Sequence, residues 1–209
     1  MVFYFTTTVT KPPTELYMGA DKHENEELIR WGWPEDVWFH VDNLSSAHVY
    51  VRLKPGQTLD DMSEDLITDC AQLVKHNSIQ GNKQNHVDVV YTMWSNLKKT
   101  PGMEAGQVGY HDEKAVRKVH VEKRLNAIIN RLNKTKTEGH PDLREMREER
   151  DRRDRAAKRE EERLQKEREK EEAKTREELK KLKSYDSLMK PEKMTTNADA
   201  AGYDSDDFM

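Results

Sequence analysis

The sequence predicts an α+β fold: a mainly antiparallel sheet with packed helices, followed by a long charged α-helix and a disordered acidic tail. Three observations carry this prediction. Short β-branched and aromatic runs alternate with stretches of helical apolar spacing in the first part of the chain. All four tryptophans and most of the Val, Ile and Phe lie before residue 140. From Asp142 to Lys183 the chain is Arg, Lys, Glu and Asp with almost no large apolar side chain. The first part can bury a core and the second cannot, so recognition is expected in the first part and an arm in the second.

Val2 to Thr7 reads as a strand, and Glu15 to Gly19 as a second, with Lys11-Pro12-Pro13-Thr14 as the turn between them. Asp21 or Asn25 caps a short helix through Arg30, which Gly32-Trp33-Pro34 ends. Val37 to Val41 and His48 to Leu53 are two further strands. Alternation puts Val37, Phe39, Val41, Val49, Val51 and Leu53 on a core face, and Trp38, His40, His48, Tyr50 and Arg52 on the opposite one. Leu59, Met62, Leu66, Cys70, Leu73 and Asn77 follow helical spacing, with Thr58 or Asp60 as N-cap and Gly81 as terminator. Val87 to Thr92 is the most β-prone run. Gln107 to Tyr110 and Ala115 to Val121 read as shorter strands. Val121, Leu125, Ile128, Ile129 and Leu132 then form a helical stripe. Gly139-His140-Pro141 interrupts it, with Pro141 suited to the first turn of a new helix. The expected organisation is a domain over 1–121, a connecting amphipathic helix over 122–138, a charged helix over 142–183 and an acidic tail over 184–209.

The charged segment lacks the sustained apolar a and d positions of a coiled coil: between Met146 and Leu179 its only large apolar residue is Leu164. It has instead acid-before-base pairs four residues apart, such as Glu148–Arg152, Asp151–Arg155 and Glu172–Arg176. Each contributes about 0.3 kcal/mol to an isolated helix. A solvated single helix about 60 Å long is favoured over a dimerising zipper, and the chain is read as a monomer. In the tail, Ser205 lies among acids and is a candidate phosphorylation site.

Charged residues make up 36% of the chain, above the roughly 25% of an ordinary globular domain. Residues 1–74 are acidic overall and 75–134 basic, an asymmetry that points to an anionic partner for the middle of the chain. Cys70 is the only cysteine, which suits a reducing compartment, cytoplasmic or also nuclear. No secretory signal or membrane-spanning run is present, and peripheral membrane attachment stays open. There is no Walker-type loop, HExxH or CxxC, so neither an enzyme nor a cofactor is assigned. His40, His48, Asp36 and Asp42 are too loosely spaced to assign a metal site. Cys70 lies in an apolar helical stripe and reads as a buried structural thiol.

The basic middle is the better clue. Lys75, Asn77, Ser78 and Lys83 cluster at an expected helix end, and Lys98 and Lys99 follow a strand bearing Tyr91 and Trp94. Lysines neutralise phosphates, while aromatic rings and amides stack on or pair with unstacked bases. Trp38, His40 and His48 supply the rings of the candidate surface. Lys22 and Asn25 join it at an expected helix start, where free N–H groups favour phosphate. Two readings compete with this surface: lysines on an ordinary solvated exterior, and a Trp38 buried by helices on both faces of the sheet.

Asp36-Val37-Trp38-Phe39-His40-Val41 followed by Ser45-Ser46-Ala47-His48-Val49 resembles the signature of the NFACT-R domain family. Tyr17-Met18-Gly19 with Asn25-Glu26-Glu27-Leu28, Asn77-Ser78 with Val87 to Thr92, and Asn96-Leu97-Lys98-Lys99 with Gly106-Gln107-Val108 are similar to its other motifs, in order. The resemblance covers residues 1–121. It implies an RNA-binding module of the kind that larger members carry in ribosome-associated quality control at the large subunit. Ser45-Ser46-Ala47 stands where the family usually has Pro-Gly-Ser, and the other regions of those larger members are not in this sequence. Their tRNA engagement and tail synthesis are therefore not carried over. The expected function is a non-enzymatic nucleic-acid-binding adaptor, RNA ahead of DNA. The alternative is a protein-interaction scaffold acting through the charged helix and tail.

Overall fold

The structure is a computed structural model that describes residues 1–184; the acidic tail and Ser205 lie outside the described residues. Its centre is a seven-stranded sheet in which every pairing is antiparallel. The strands are β1 (Val2–Thr7), β2 (Thr14–Gly19), β3 (Asp36–Val41), β4 (Val49–Arg52), β5 (Val87–Met93), β8 (Arg117–Val121) and β9 (Thr137–Gly139), in the order β8-β5-β3-β4-β2-β1-β9. A separate two-stranded ribbon joins β6 (Leu97–Lys98) to β7 (Gly109–Tyr110). The helices are α1 (Lys22–Trp31), α2 (Glu64–His76), α3 (Asn126–Asn133) and α4 (Leu143–Lys183).

The pleat sorts β3 and β4 as their alternation predicts. Val37 lies opposite Val51 and Phe39 opposite Val49, and these side chains pack with Leu66, Cys70, Leu73 and Val74 of α2. Trp38 lies opposite Tyr50 on the other face. That face is also covered: Tyr17, Leu28 of α1 and Val90 join Trp38 and Tyr50 in a second cluster, with Leu97, Tyr110 and Leu143 packed against it. The expected aromatic face is thus a second core.

An ion pair between the buried Asp36 and the half-buried Arg52 holds the centre. Asp36 is 0% exposed. It accepts from Arg52 Nε at 2.8 Å and Nη2 at 3.1 Å, and from the Trp33 backbone N–H at 2.7 Å. The Arg52 guanidinium lies 3.6 Å from the centre of a Trp33 ring and also reaches the Tyr17 hydroxyl.

Several boundaries differ from the sequence reading. The helix expected from Leu59 divides: Thr58 and Asp61 close a 3₁₀ turn over Leu59–Asp61, and Ser63 then caps α2 through the Leu66 N–H. Asn77, not Gly81, ends α2. Val121 belongs to β8, so the apolar stripe of α3 shortens to Ile128, Ile129 and Leu132. Residues 137–139 are not part of a connecting helix but an edge strand on β1, fastened beside it by reciprocal Thr6–Thr135 hydrogen bonds of 2.9 and 3.1 Å. Asp142 caps α4 by accepting from the Glu145 N–H, and Pro141 stands just before the helix.

The chain divides into two compact units, Met1–Asp151 and the residues from Arg152. The first includes the opening turns of α4. There Arg144, Arg147 and Arg150 lie against Trp31, Trp94 and Trp33 in turn, while Arg147 donates to the Gly32 carbonyl and Arg150 pairs with Glu35. Glu148 and Asp151 consequently pair backward, with Arg144 and Arg147, rather than forward with Arg152 and Arg155. In the second unit α4 exposes its described side chains through Lys183 and carries local pairs such as Arg163–Glu160.

Asp36→Asn is expected to lower stability by about 2 kcal/mol, because the half-buried Arg52 loses a charge-assisted, two-pronged partner. A urea denaturation series measures this; an unchanged midpoint would refute the central role given to the pair.

Candidate nucleic-acid interface

Seven of the expected site residues gather around one segment, residues 97–110, which we call the strap. Asp21 caps α1 by accepting from the His23 and Glu24 N–H groups at 2.8 and 2.9 Å. Lys22 is therefore turned outward, while Asn25 is buried against Gly19. A Cβ at Gly19 would stand 2.4 Å from Asn25 Oδ1, so the β2–α1 corner needs glycine.

One turn along α1, Glu26 holds the strap. Its Oε2 accepts from Lys99 Nζ at 2.7 Å and from the Gly106 N–H at 3.0 Å. Burial pushes this carboxyl up, but the Lys99 and Gly106 bonds prevail and hold it below the usual carboxylate range. Lys99 Nζ also donates to the carbonyls of Glu104 and Gln107. Gly106 has φ of +81°, a left-handed conformation suited to glycine, and passes close to Lys22.

Under the strap lies a cluster of rings. Trp38 and His40 are parallel at 5.3 Å, two residues apart on β3. His48 meets both edge-on at 5.3 and 5.0 Å, and Tyr110 of the strap meets Trp38 edge-on at 6.0 Å. Trp38 is 2% exposed and His48 3%. Burial, then the nearby His40 and Lys99, lower the His48 pKa to about 3, against a weaker upward pull from the Gly106 backbone; burial also lowers that of His40. Trp38 Nε1, His48 Nδ1 and Tyr50 Oη are buried without a hydrogen-bond partner.

The remaining expected residues gather at the end of α2. Lys75 is 0% exposed, and its ammonium donates to the carbonyls of Gly81 and Gln84. Burial lowers its pKa. Asn77 Nδ2 donates back to the Leu73 carbonyl at 2.9 Å. Ser78 is buried; its hydroxyl donates to Ser45 O at 2.7 Å and accepts from the Gly81 N–H. The Ala47 N–H donates to Asn77 O, and Ser46 Oγ accepts from the Val41 N–H. The unusual Ser45-Ser46-Ala47 turn is thus stitched to both β3 and the end of α2.

The candidate residues therefore play different parts. Lys22, Lys83 and Lys98 are exposed, and their ammonium groups have no hydrogen bond or ion pair among the described residues. Lys99 is committed to Glu26. Asn25, Trp38, His48, Lys75 and Ser78 are buried, and in this conformation present no outward surface. Asp36 and Asp42 are likewise committed, to Arg52 and Lys118. Cys70 is fully buried, and burial pushes its thiol up. The sequence reading missed Glu26, Tyr110 and Arg124, whose guanidinium donates to Asn82 Oδ1 at 2.8 Å beside Lys83. The Val108–Tyr110 alternation was a usable signal for Tyr110; nothing local marks Glu26.

Residues 1–112 match the family described as "NFACT protein RNA binding domain". Coiled-coil domain-containing protein 25 of Danio rerio is 58% identical over 209 residues, covering 100% of both chains. Protein JLP2 of Saccharomyces cerevisiae is 42% identical over 143 residues, covering 66% of this chain and 69% of that one. The solved C-terminal part of the fibronectin/fibrinogen-binding protein from Streptococcus suis aligns with TM-score 0.51 at 23% identity, covering 64% of this chain and 48% of that one, a likeness of fold alone.

Two outcomes follow from this geometry. Lys75→Met is expected to lower stability by about 2–3 kcal/mol, since two carbonyls are left without their donor, and to leave the salt dependence of nucleic-acid retention unaltered. Denaturation and a binding titration on the same variant separate the two. His48 stays neutral in the folded protein above pH about 3 but takes a proton near 6.5 once unfolded. Its effect on stability is level above pH 6.5 and turns unfavourable below it, by about 1.4 kcal/mol per pH unit. Urea midpoints between pH 6.5 and 5 should fall in the wild type and fall less in His48→Asn.

Proposed function

The chain belongs to the family of NFACT protein RNA binding domains, and from that membership we propose that it is a non-enzymatic adaptor that binds nucleic acid, RNA in preference to DNA. The observation that carries this reading is the family match over residues 1–112, which takes in Lys22, Lys83 and Lys98. These exposed ammonium groups suit phosphate binding, which supplies affinity without reading sequence. Preference for RNA requires that a 2′-hydroxyl or an unpaired base be read as well.

In this reading the compact unit Met1–Asp151 binds and the charged helix engages other proteins. The resemblance to larger members of the family supports a link to the ribosome and translation quality control. A lone buried thiol suits a cytoplasmic setting, with the nucleus as a second one. The alternative is a protein scaffold whose grip lies in the charged helix and tail, the helix being exposed from Arg152 to Lys183.

A fluorescence-anisotropy titration of a single-stranded RNA against salt tests the proposal. Wild-type affinity should fall steeply as salt rises, and Lys22→Glu with Lys98→Glu should reduce the log–log slope by about 0.7 for each phosphate no longer neutralised. Co-purifying protein partners should be unaffected by the double variant. Binding that is absent, or indifferent to salt, overturns the reading and favours the scaffold.

A further inference from the structure

The rings under the strap carry unused hydrogen-bonding capacity. Trp38 Nε1, His48 Nδ1 and Tyr50 Oη are all buried and partnerless. They are neighbours: Trp38 and Tyr50 are directly paired across β3 and β4, and the His48 ring rests edge-on against Trp38 at 5.3 Å. Buried polar atoms in native proteins are nearly always satisfied, so three such atoms in one cluster call for a partner. The set comprises two donors, an indole N–H and a phenol O–H, and an imidazole nitrogen able to act in either sense. A nucleobase edge offers the matching mixture of acceptors and donors, and its face stacks on an aromatic ring.

The strap has polar ties to the rest of the head at its base and at one point beyond it, and packs Leu97, Val108 and Tyr110 on the second core. Its base is pinned, because the Asn96 side chain bonds to Thr92 Oγ1, to the Asp112 carbonyl and to the Asp112 N–H. Beyond that base, Lys99 and Gly106 tie the strap to α1 through one carboxylate, that of Glu26. Tyr110 of the strap lies edge-on to Trp38 at 6.0 Å, so lifting the strap would uncover that side of the indole. A phosphate can replace Glu26 as the partner of Lys99, so opening exchanges one anion for another.

We propose that residues 97–110 are a latched cover over a nucleobase pocket: an unpaired base of single-stranded nucleic acid displaces Tyr110 from Trp38 and satisfies the orphaned atoms of Trp38, His48 and Tyr50, while Lys22, Lys98 and Lys99 take the adjoining phosphates. This deepens the nucleic-acid reading above and rests on it. Duplex, whose bases are already paired and stacked, reaches only the outer lysines.

Glu26→Gln tests the latch, since it keeps the shape and removes the charge. Amide exchange over residues 99–108 should quicken. Affinity for single-stranded RNA should rise about threefold or more, as expected when a competent open state is populated, and affinity for a duplex should rise less. A 4-thiouridine oligonucleotide should crosslink to peptides containing Trp38 or Tyr110. Should Glu26→Gln fail to fold, Tyr110→Ala poses the same question by removing the ring that covers that side of Trp38. An equal rise for single strand and duplex, or crosslinks confined to the outer lysine-bearing peptides, overturns the pocket and leaves nucleic-acid binding standing. Failure of the wild type and of Glu26→Gln alike to bind any RNA overturns both.

Discussion

The Asp36–Arg52 pair is the constraint on which the rest of the head depends. A carboxylate with no exposure is tolerable only when its oxygens are occupied, and here two guanidinium N–H groups and the Trp33 N–H occupy them. Asp36 opens β3 and Arg52 closes β4, so the bond sets these strands in register. Through Trp33 it also fixes the chain between α1 and the sheet. Sliding β3 by one residue would break the pair and turn Trp38 onto the face of α2.

With register fixed, alternation decides the rest. Val37, Phe39, Val41, Val49 and Val51 of β3 and β4 meet α2, and Trp38 and Tyr50 turn to a face that α1, the ribbon and Leu143 cover. The aromatic face is a second core with polar atoms in it. That explains how one set of rings can be both structural and available: they support the sheet when the strap is down, and they retain hydrogen-bonding groups that packing alone would not select.

The sequence revealed the regular parts of this fold. Strands β1 to β5 have the right residues at the right period, and α4 was bounded closely by its composition. What it concealed is set by residues distant along the chain. Thr137-Glu138-Gly139 has little β character of its own and is a strand only because β1 offers an open edge. The division near Met62 arises because Thr58 and Ser63 each make a sound helix start, and periodicity alone cannot rank them. The site was half readable. Composition found the lysines, but burial separates Lys75, which holds a loop together, from Lys98, which faces outward. Glu26 escaped notice because a glutamate in a charged helix is unremarkable until Lys99 and Gly106 arrive from more than seventy residues away.

The arginines that open α4 have a further consequence. Starting a helix is the unfavourable step, because several residues must be ordered before the first hydrogen bond repays them. In α4 that nucleus is supplied from outside: Asp142 caps it, and Arg144, Arg147 and Arg150 are held against tryptophan rings one turn after another. The forty-one residues of α4 therefore need only propagate from a template. A stretch too polar to gather a core of its own inherits its helicity from the folded head, and its order should be gained and lost together with it.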